Sequence, residues 1–169
     1  MKKFLITFCL AFLFYLMLTI GTGSMLFFWA EDEIFVGILI SIFIGIIAKD
    51  LAFWNEFYNF VKSPIRWFLF LIYILGPFFF AMAKANLDVA YRVITGKINP
   101  GIVKISTGLR TDLGTTMLAN SITLTPGTLT VDVDENNNLY IHWINVKNKE
   151  PKPEEVCGNL LSWVKKIIE

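Results

Sequence analysis

Few residues of this 169-residue chain have the types and spacing that chemistry requires. The single histidine, His142, stands in the run LYIHWINV, where an imidazole could serve as a base. No carboxylate or nucleophile motif accompanies it, so a histidine packed within a strand is the expectation. Asp132 and Asp134 flank Val133 ahead of Asn136, Asn137 and Asn138. Two carboxylates there could ligate a cation; the commoner use is to solvate a turn. Lys84 and Asp88 stand at the i, i+4 spacing of a helical ion pair. Asp88 either closes that pair or docks on a basic residue of a neighbouring subunit. Cys9 falls in an apolar run and Cys157 near the C-terminus, so one is expected in lipid and one in water, and no disulfide joins them. CxxC, GxGxxG, GxxxxGK and HExxH are all absent. The sequence therefore assigns no catalytic residue, no cofactor and no metal ligand.

The elements around these residues divide into an apolar half and a mixed half. The chain is 55% apolar and 17% charged, with a net charge of +1 that gives no reason to expect nucleic acid. Met1-Lys2-Lys3 precedes an uncharged run from Phe4 to Ala30. A signal peptide opens in the same way, but the run is long and a second one follows. Phe4 to about Leu26 is read as a first membrane span. Glu31, Asp32 and Glu33 form an acidic turn, and Ile34 to Ala48 is a second, short span containing Gly37, Ser41 and Gly45. Lys2 and Lys3 on one side, with Lys49, Lys62 and Arg66 after the second span, place the N-terminus in the cytoplasm and bring the chain back there. Leu51 to Val61 is aromatic-rich and suits the interface. Trp67 to Ala83 is a third apolar run broken by Gly76-Pro77. Either it is a kinked, in-plane or re-entrant helix, or all three runs span and the N-terminus is outside. Asn86 to Thr95 is amphipathic, with Leu87, Tyr91 and Ile94 on one stripe. The domain division is thus 1–83 membrane, 84–99 connecting helix, 100–169 cytoplasmic domain.

Within that last domain, Val103 and Ile105 share a face with Thr107 in a first strand. Thr111 or Asp112 caps a helix carrying Leu113, Met117 and Leu124, with Leu118 and Ile122 nearby. Thr125-Pro126-Gly127 is a type II turn, Pro126 presetting φ and Gly127 accepting φ > 0. Leu129, Val131 and Val133 form the apolar face of a half-buried second strand. After the DENNN loop, Leu139 to Val146 returns as a third strand apolar on both faces, which suits a central position. Lys152 to Ile168 closes the chain as a helix with Val156, Leu160, Trp163 or Val164, and Ile167 in a stripe. The fold class is an α+β membrane protein: transmembrane or interfacial helices followed by a small βαββα domain, a split βαβ that amounts to a truncated ferredoxin-like unit.

The stretch TDLGTTMLANSITLTPGTLTVDV, followed by LYIHWINV, resembles the E-type small component of Mrp-type multisubunit cation/proton antiporters. It is equally similar to the related small subunit of membrane-bound, energy-converting hydrogenases. The core T-D-x-x-x-T-x-L-A-N-x-I-T-L-T-P-G-T-L carries the likeness, marking Thr111, Asp112, Asn120, Pro126 and Gly127 as motif positions. The resemblance implies a multi-pass plasma-membrane subunit whose partners are other membrane subunits of such a complex. It also implies that ion movement belongs to the complex and any catalysis to other subunits. None of the apolar runs holds an ionisable residue in its middle, where ion paths place them, so an accessory role is expected. The alternative is an independent membrane-anchored lipid or ligand sensor with the small domain as reader.

Overall fold

The computed structural model describes residues 2–23, 29–48 and 54–169. The expected outer end of the first span at Leu26, and Lys49 and Asp50, lie outside the described residues. The contacts form two compact units, Met1–Tyr58 and Asn59–Glu169, each described by itself.

The first unit is a helical hairpin of α1 (Lys2–Leu18) and α2 (Glu31–Ala48). Both helices are apolar nearly all round. The buried residues of α2 are Gly37, Ser41 and Gly45, one stripe of small side chains. A Cβ on Gly37 would stand 2.6 Å from the Tyr15 ring, and one on Gly45 2.9 Å from the Phe4 ring. The helices therefore run antiparallel and approach as closely as the small-xxx-small spacing allows. At the acidic end Tyr15 Oη donates to Glu33 Oε2 at 2.5 Å, and Trp29 Nε1 donates to Leu16 O at 2.8 Å. Cys9 is exposed on α1. A short helix, α3 (Trp54–Val61), carries the chain into the second unit.

There, α4 (Pro64–Tyr73), a π-helical turn at Ile74–Phe78 and α5 (Phe79–Thr95) join into one helix of 32 residues. The separate connecting helix expected from residue 84 is the second half of this element, and no break falls at 83/84. Pro77 causes the π turn. It has no N–H to donate to the carbonyl four residues back, and its ring crowds that turn. The Phe79 N–H reaches back to Ile74 O instead. The extra residue keeps one face in register, so Leu69, Phe70, Tyr73, Phe78 and Ala81 all pack against the same core.

That core belongs to a three-stranded sheet and the helices on one side of it. The strands are β1 (Gly101–Ser106), β2 (Thr128–Val133) and β3 (Asn138–Trp143), in the order β1-β3-β2 with both outer strands antiparallel to β3. The strand expected to be central is the central one, but it is apolar on one face only: Leu139, Ile141 and Trp143 meet the core, and Asn138, Tyr140 and His142 are on the other side. Val103, Ile105, Leu139 and Ile141 face α6 (Asp112–Thr123) and α8 (Leu160–Ile168), which contribute Leu118, Ile122, Leu160, Val164 and Ile167.

Several expectations are corrected. Leu129, Val131 and Val133 are exposed, because β2 is an edge strand with a register shift between Thr130 and Asp132; Thr130 stands opposite Ile141 on the core side. Leu124 is exposed and lies just beyond α6. The closing helix is two pieces, α7 (Pro153–Cys157) and α8, separated at Gly158 with φ +57°. Cys157 is buried rather than in water. His142 is exposed on the outer sheet face between Ile102 and Leu129, not packed.

Candidate functional site

The motif stretch Thr111–Leu129 is a self-tied connection between α6 and β2. Thr111 is the N-cap, its Oγ1 accepting from Gly114 N at 3.2 Å, which satisfies one of the free donors at the helix start. Asp112 follows in the first turn, where the helix dipole favours an anion. Asn120 is exposed, and its carbonyl accepts from Leu124 N at the helix end. The Thr125-Pro126-Gly127-Thr128 turn closes with Thr128 N donating to Thr125 O at 3.3 Å and has φ +89° at Gly127, a type II turn. Threonine hydroxyls then add bonds to carbonyls in the last turns of α6. Thr128 Oγ1 lies 2.8 Å from Ile122 O, and Thr130 Oγ1 donates to Ala119 O at 3.1 Å. Thr123 Oγ1 accepts the β2 edge N–H of Thr130 at 3.2 Å. Polar residues are needed at these strand positions for that reason, and the apolar residues between them point away.

Beside this connection α5 and the sheet domain enclose a groove of about 720 Å³. Lys84, Asp88, Arg92, Lys147, Glu154 and Glu155 line it, three charges of each sign, together with Phe80 and Trp143. The expected ion pair of Asp88 with Lys84 is replaced. Asp88 takes Arg92 Nε on Oδ2 at 2.7 Å and Arg92 Nη2 on Oδ1 at 2.9 Å. The planar guanidinium matches the carboxylate with two parallel bonds, which an ammonium cannot do. Arg92 also donates to Lys97 O at 2.9 Å, and Asn145, turned so that Oδ1 faces it, accepts from both Nη atoms at 3.3 Å. Its side chain is only 12% exposed against 50% for Asp88. Arg92 is thus the clamp between the end of α5 and the segment after β3. In the sequence it counts only as one basic charge among several, since Asn145 is far away along the chain. The other end of the long helix has its counterpart: Arg66 Nη1 donates to Ile168 O at 2.7 Å, on an otherwise open carbonyl of α8.

Asp134 holds the hairpin loop together. Its Oδ1 accepts from the Asn136 and Asn138 N–H groups at 2.9 and 3.0 Å, and its Oδ2 from Lys104 Nζ at 2.8 Å. Lys104 and these donors hold the Asp134 carboxyl well below the usual carboxylate range, and the same pairing raises Lys104. Asn137 completes the loop at φ +59°. Asp132 accepts from its own neighbour, Val133 N, at 2.8 Å. The Cys157 thiol donates to Pro153 O at 3.0 Å, and burial pushes its pKa up to about 11, which disfavours the thiolate at neutral pH. Among the described residues no group of three or more His, Cys, Asp or Glu side chains could hold a metal ion. The chemistry this arrangement offers is docking: helix tied to domain, with a charged groove between them.

A family model described as "Na+/H+ ion antiporter subunit" matches residues 8–167. The E-type antiporter protein of Alkalihalophilus pseudofirmus, a component of its Na(+)/H(+) antiporter, is 38% identical over 122 residues, covering 70% of this chain and 72% of that one. The corresponding E1 protein of the Staphylococcus haemolyticus Na(+)/H(+) antiporter is 34% identical over 113 residues, covering 63% and 71%. Among solved structures, a chain of the membrane-bound sulfane sulfur reductase, an archaeal respiratory membrane complex, superposes with a TM-score of 0.74. It is 36% identical, and the match covers 99% of both chains.

Proposed function

The chain belongs to the E-type family of Na+/H+ antiporter subunits, and on that premise we propose that it is an accessory membrane subunit that supports assembly of a cation/proton-translocating complex without carrying the ion. The observation behind this reading is the use made of its charges. Asp88 and Arg92 are committed to each other, Asp134 to Lys104, and Arg66 to the end of α8. Each holds backbone or helix in place, whereas a translocation path needs buried ionisable groups that change partners or protonation. The host complex is of the antiporter or the membrane-bound hydrogenase kind, in the plasma membrane. The βαββα unit, a truncated ferredoxin-like domain, stands on the cytoplasmic side, as the basic residues Lys84, Arg92, Lys97 and Lys104 favour. Residues 1–83 form the membrane part. The exposed rim of the groove at Lys84 and Asp88 is the place for a neighbouring subunit to dock, and no residue of the chain is given a catalytic role.

Deleting the chain tests this reading. The expected result is that assembled complex and sodium/proton exchange fall together, in the same proportion. A full yield of complex with exchange abolished would overturn it.

A further inference from the structure

The helix from Pro64 to Thr95 is the one element among the described residues long and apolar enough to cross a membrane, by length and composition. At 1.5 Å per residue it is about 48 Å long, well beyond the ~30 Å of a hydrocarbon core. Its sides differ. One side is tied to the sheet domain at points along its whole length: Arg66 on Ile168 O, Tyr73 on Ser121, Phe78 and Ala81 on the core, Arg92 on Asn145. The opposite side exposes Ile65, Phe68, Leu71, Leu75, Phe79 and Phe80, each more than half exposed. No charged residue interrupts the run from Trp67 to Ala83.

These two facts are incompatible with a span. The covering domain carries Lys104, Asp112, Asp134, Glu154, Glu155 and Lys165, among others. A helix standing across the bilayer would draw that domain into hydrocarbon, where each charge costs about 2.5–3.5 kcal/mol even on the mildest scale. A helix lying flat has no such conflict: the domain stays in water and the apolar side meets the acyl boundary. We infer that Pro64–Thr95 is an in-plane interfacial helix, a keel between the charged domain and the lipid surface. The exposed side favours lipid over a single partner helix by its width, for Ile65, Trp67, Phe68, Leu71 and Ile74, all exposed, extend over about half the helix circumference at 100° per residue. The π turn contributes by keeping the domain-facing residues in line on both sides of Pro77. This inference rests on the reading of the chain as a membrane subunit.

Nitroxide labels on the full chain in phosphatidylcholine/phosphatidylglycerol nanodiscs test it. Phe68→Cys, Leu75→Cys and Phe79→Cys are made singly with Cys9→Ser and Cys157→Ala, and collision rates with oxygen and with a nickel chelate give depth. Leu13→Cys on α1 and Phe43→Cys on α2, both exposed, report the hydrocarbon. The three helix labels should lie at one shallow depth, about 5–10 Å below the phosphates. A span instead separates Phe68 from Phe79 by about 16 Å of depth, and that gradient would overturn the inference. Labels closed to both reagents would reveal a protein surface on this side and overturn the lipid assignment. Labels open to nickel while Leu13 and Phe43 remain in hydrocarbon would do the same. Nickel access at Leu13 and Phe43 as well would bring down the membrane reading itself.

Discussion

Tyr73 Oη donates to Ser121 Oγ at 2.6 Å, and Ser121 Oγ in turn donates to Met117 O at 2.7 Å. Through that relay the middle of the long helix is fixed to α6. The ring of Tyr73 is 2% exposed, so both packing and hydrogen bond are at stake. Tyr73→Phe keeps the ring and leaves Ser121 with an acceptor, and should cost about 1 kcal/mol. Tyr73→Ala also opens a cavity and should cost roughly 3–5 kcal/mol. Denaturant unfolding of the detergent-solubilised chain measures both, and equal losses would mean that the hydroxyl, not the ring, dominates the contact.

Gly127→Val is expected to destabilise the chain by more than a surface change does. Positive φ strains any side chain with a branched Cβ, on the order of 1–3 kcal/mol. Space is short as well: a Cβ there meets Ile144 Cγ2 at 3.0 Å and Val89 Cγ2 at 3.2 Å. The second contact is with the long helix, so the measurement belongs on the full chain rather than on residues 100–169 alone. An unchanged melting temperature would contradict the turn geometry.

The turn is legible in the sequence because proline and glycine constrain the backbone locally, whatever surrounds them. The central place of β3 is legible because Tyr140, Ile141 and Trp143 make its run large and apolar, although Asn138 and His142 share the outer face with Tyr140. Other features depend on what a residue meets far away in sequence. Alternation alone misjudges the face of β2, because it does not say which side the helices cover, and Thr130 is drawn inward by Ala119 O. Arg92 stays inconspicuous because Asn145 becomes its neighbour only after the sheet forms. Gly37, Ser41 and Gly45 look like interruptions of a short span; their role is visible only once Tyr15 and Phe4 lie against the glycines. Ser121 gives no signal at all, since a serine in mid-helix reads as indifferent until Tyr73 arrives.

Replacing Gly37 by Leu should separate α1 from α2. Its Cβ alone would stand 2.6 Å from Tyr15 Cδ1, closer than packed carbons tolerate, so the ring must move and its bond to Glu33 is disturbed. Gly37→Ala should weaken the hairpin and Gly37→Leu should abolish its close approach. The distance between spin labels at Phe8 and Ile44, read by spin–spin coupling, reports the separation. Unaltered coupling in Gly37→Leu would show that the small-residue stripe does not set the packing.

The Asp134–Lys104 pair makes a prediction about pH. Asp134 has a folded-state pKa below its unfolded value of about 3.9, so its contribution is complete above that value and is lost as pH falls towards the folded pKa. Lys104 is raised, so its contribution is complete below its unfolded value of about 10.4 and is lost as pH rises through the folded one. Between about pH 5 and pH 9 both are present. Asp134→Asn should therefore lower the melting temperature most in that window, and the gap to the unsubstituted chain should narrow below about pH 4, where the unsubstituted chain begins to lose the same interaction. Lys104 on the edge strand β1 and Asp134 in the β2–β3 loop meet at the surface, so the effect in 1 M salt should shrink for the part that comes from the Lys104 charge. The part due to the Asn136 and Asn138 N–H groups should survive salt, because those bonds are short and local. A gap that stays constant from about pH 3 to pH 8 would mean that the carboxylate charge does not hold the loop.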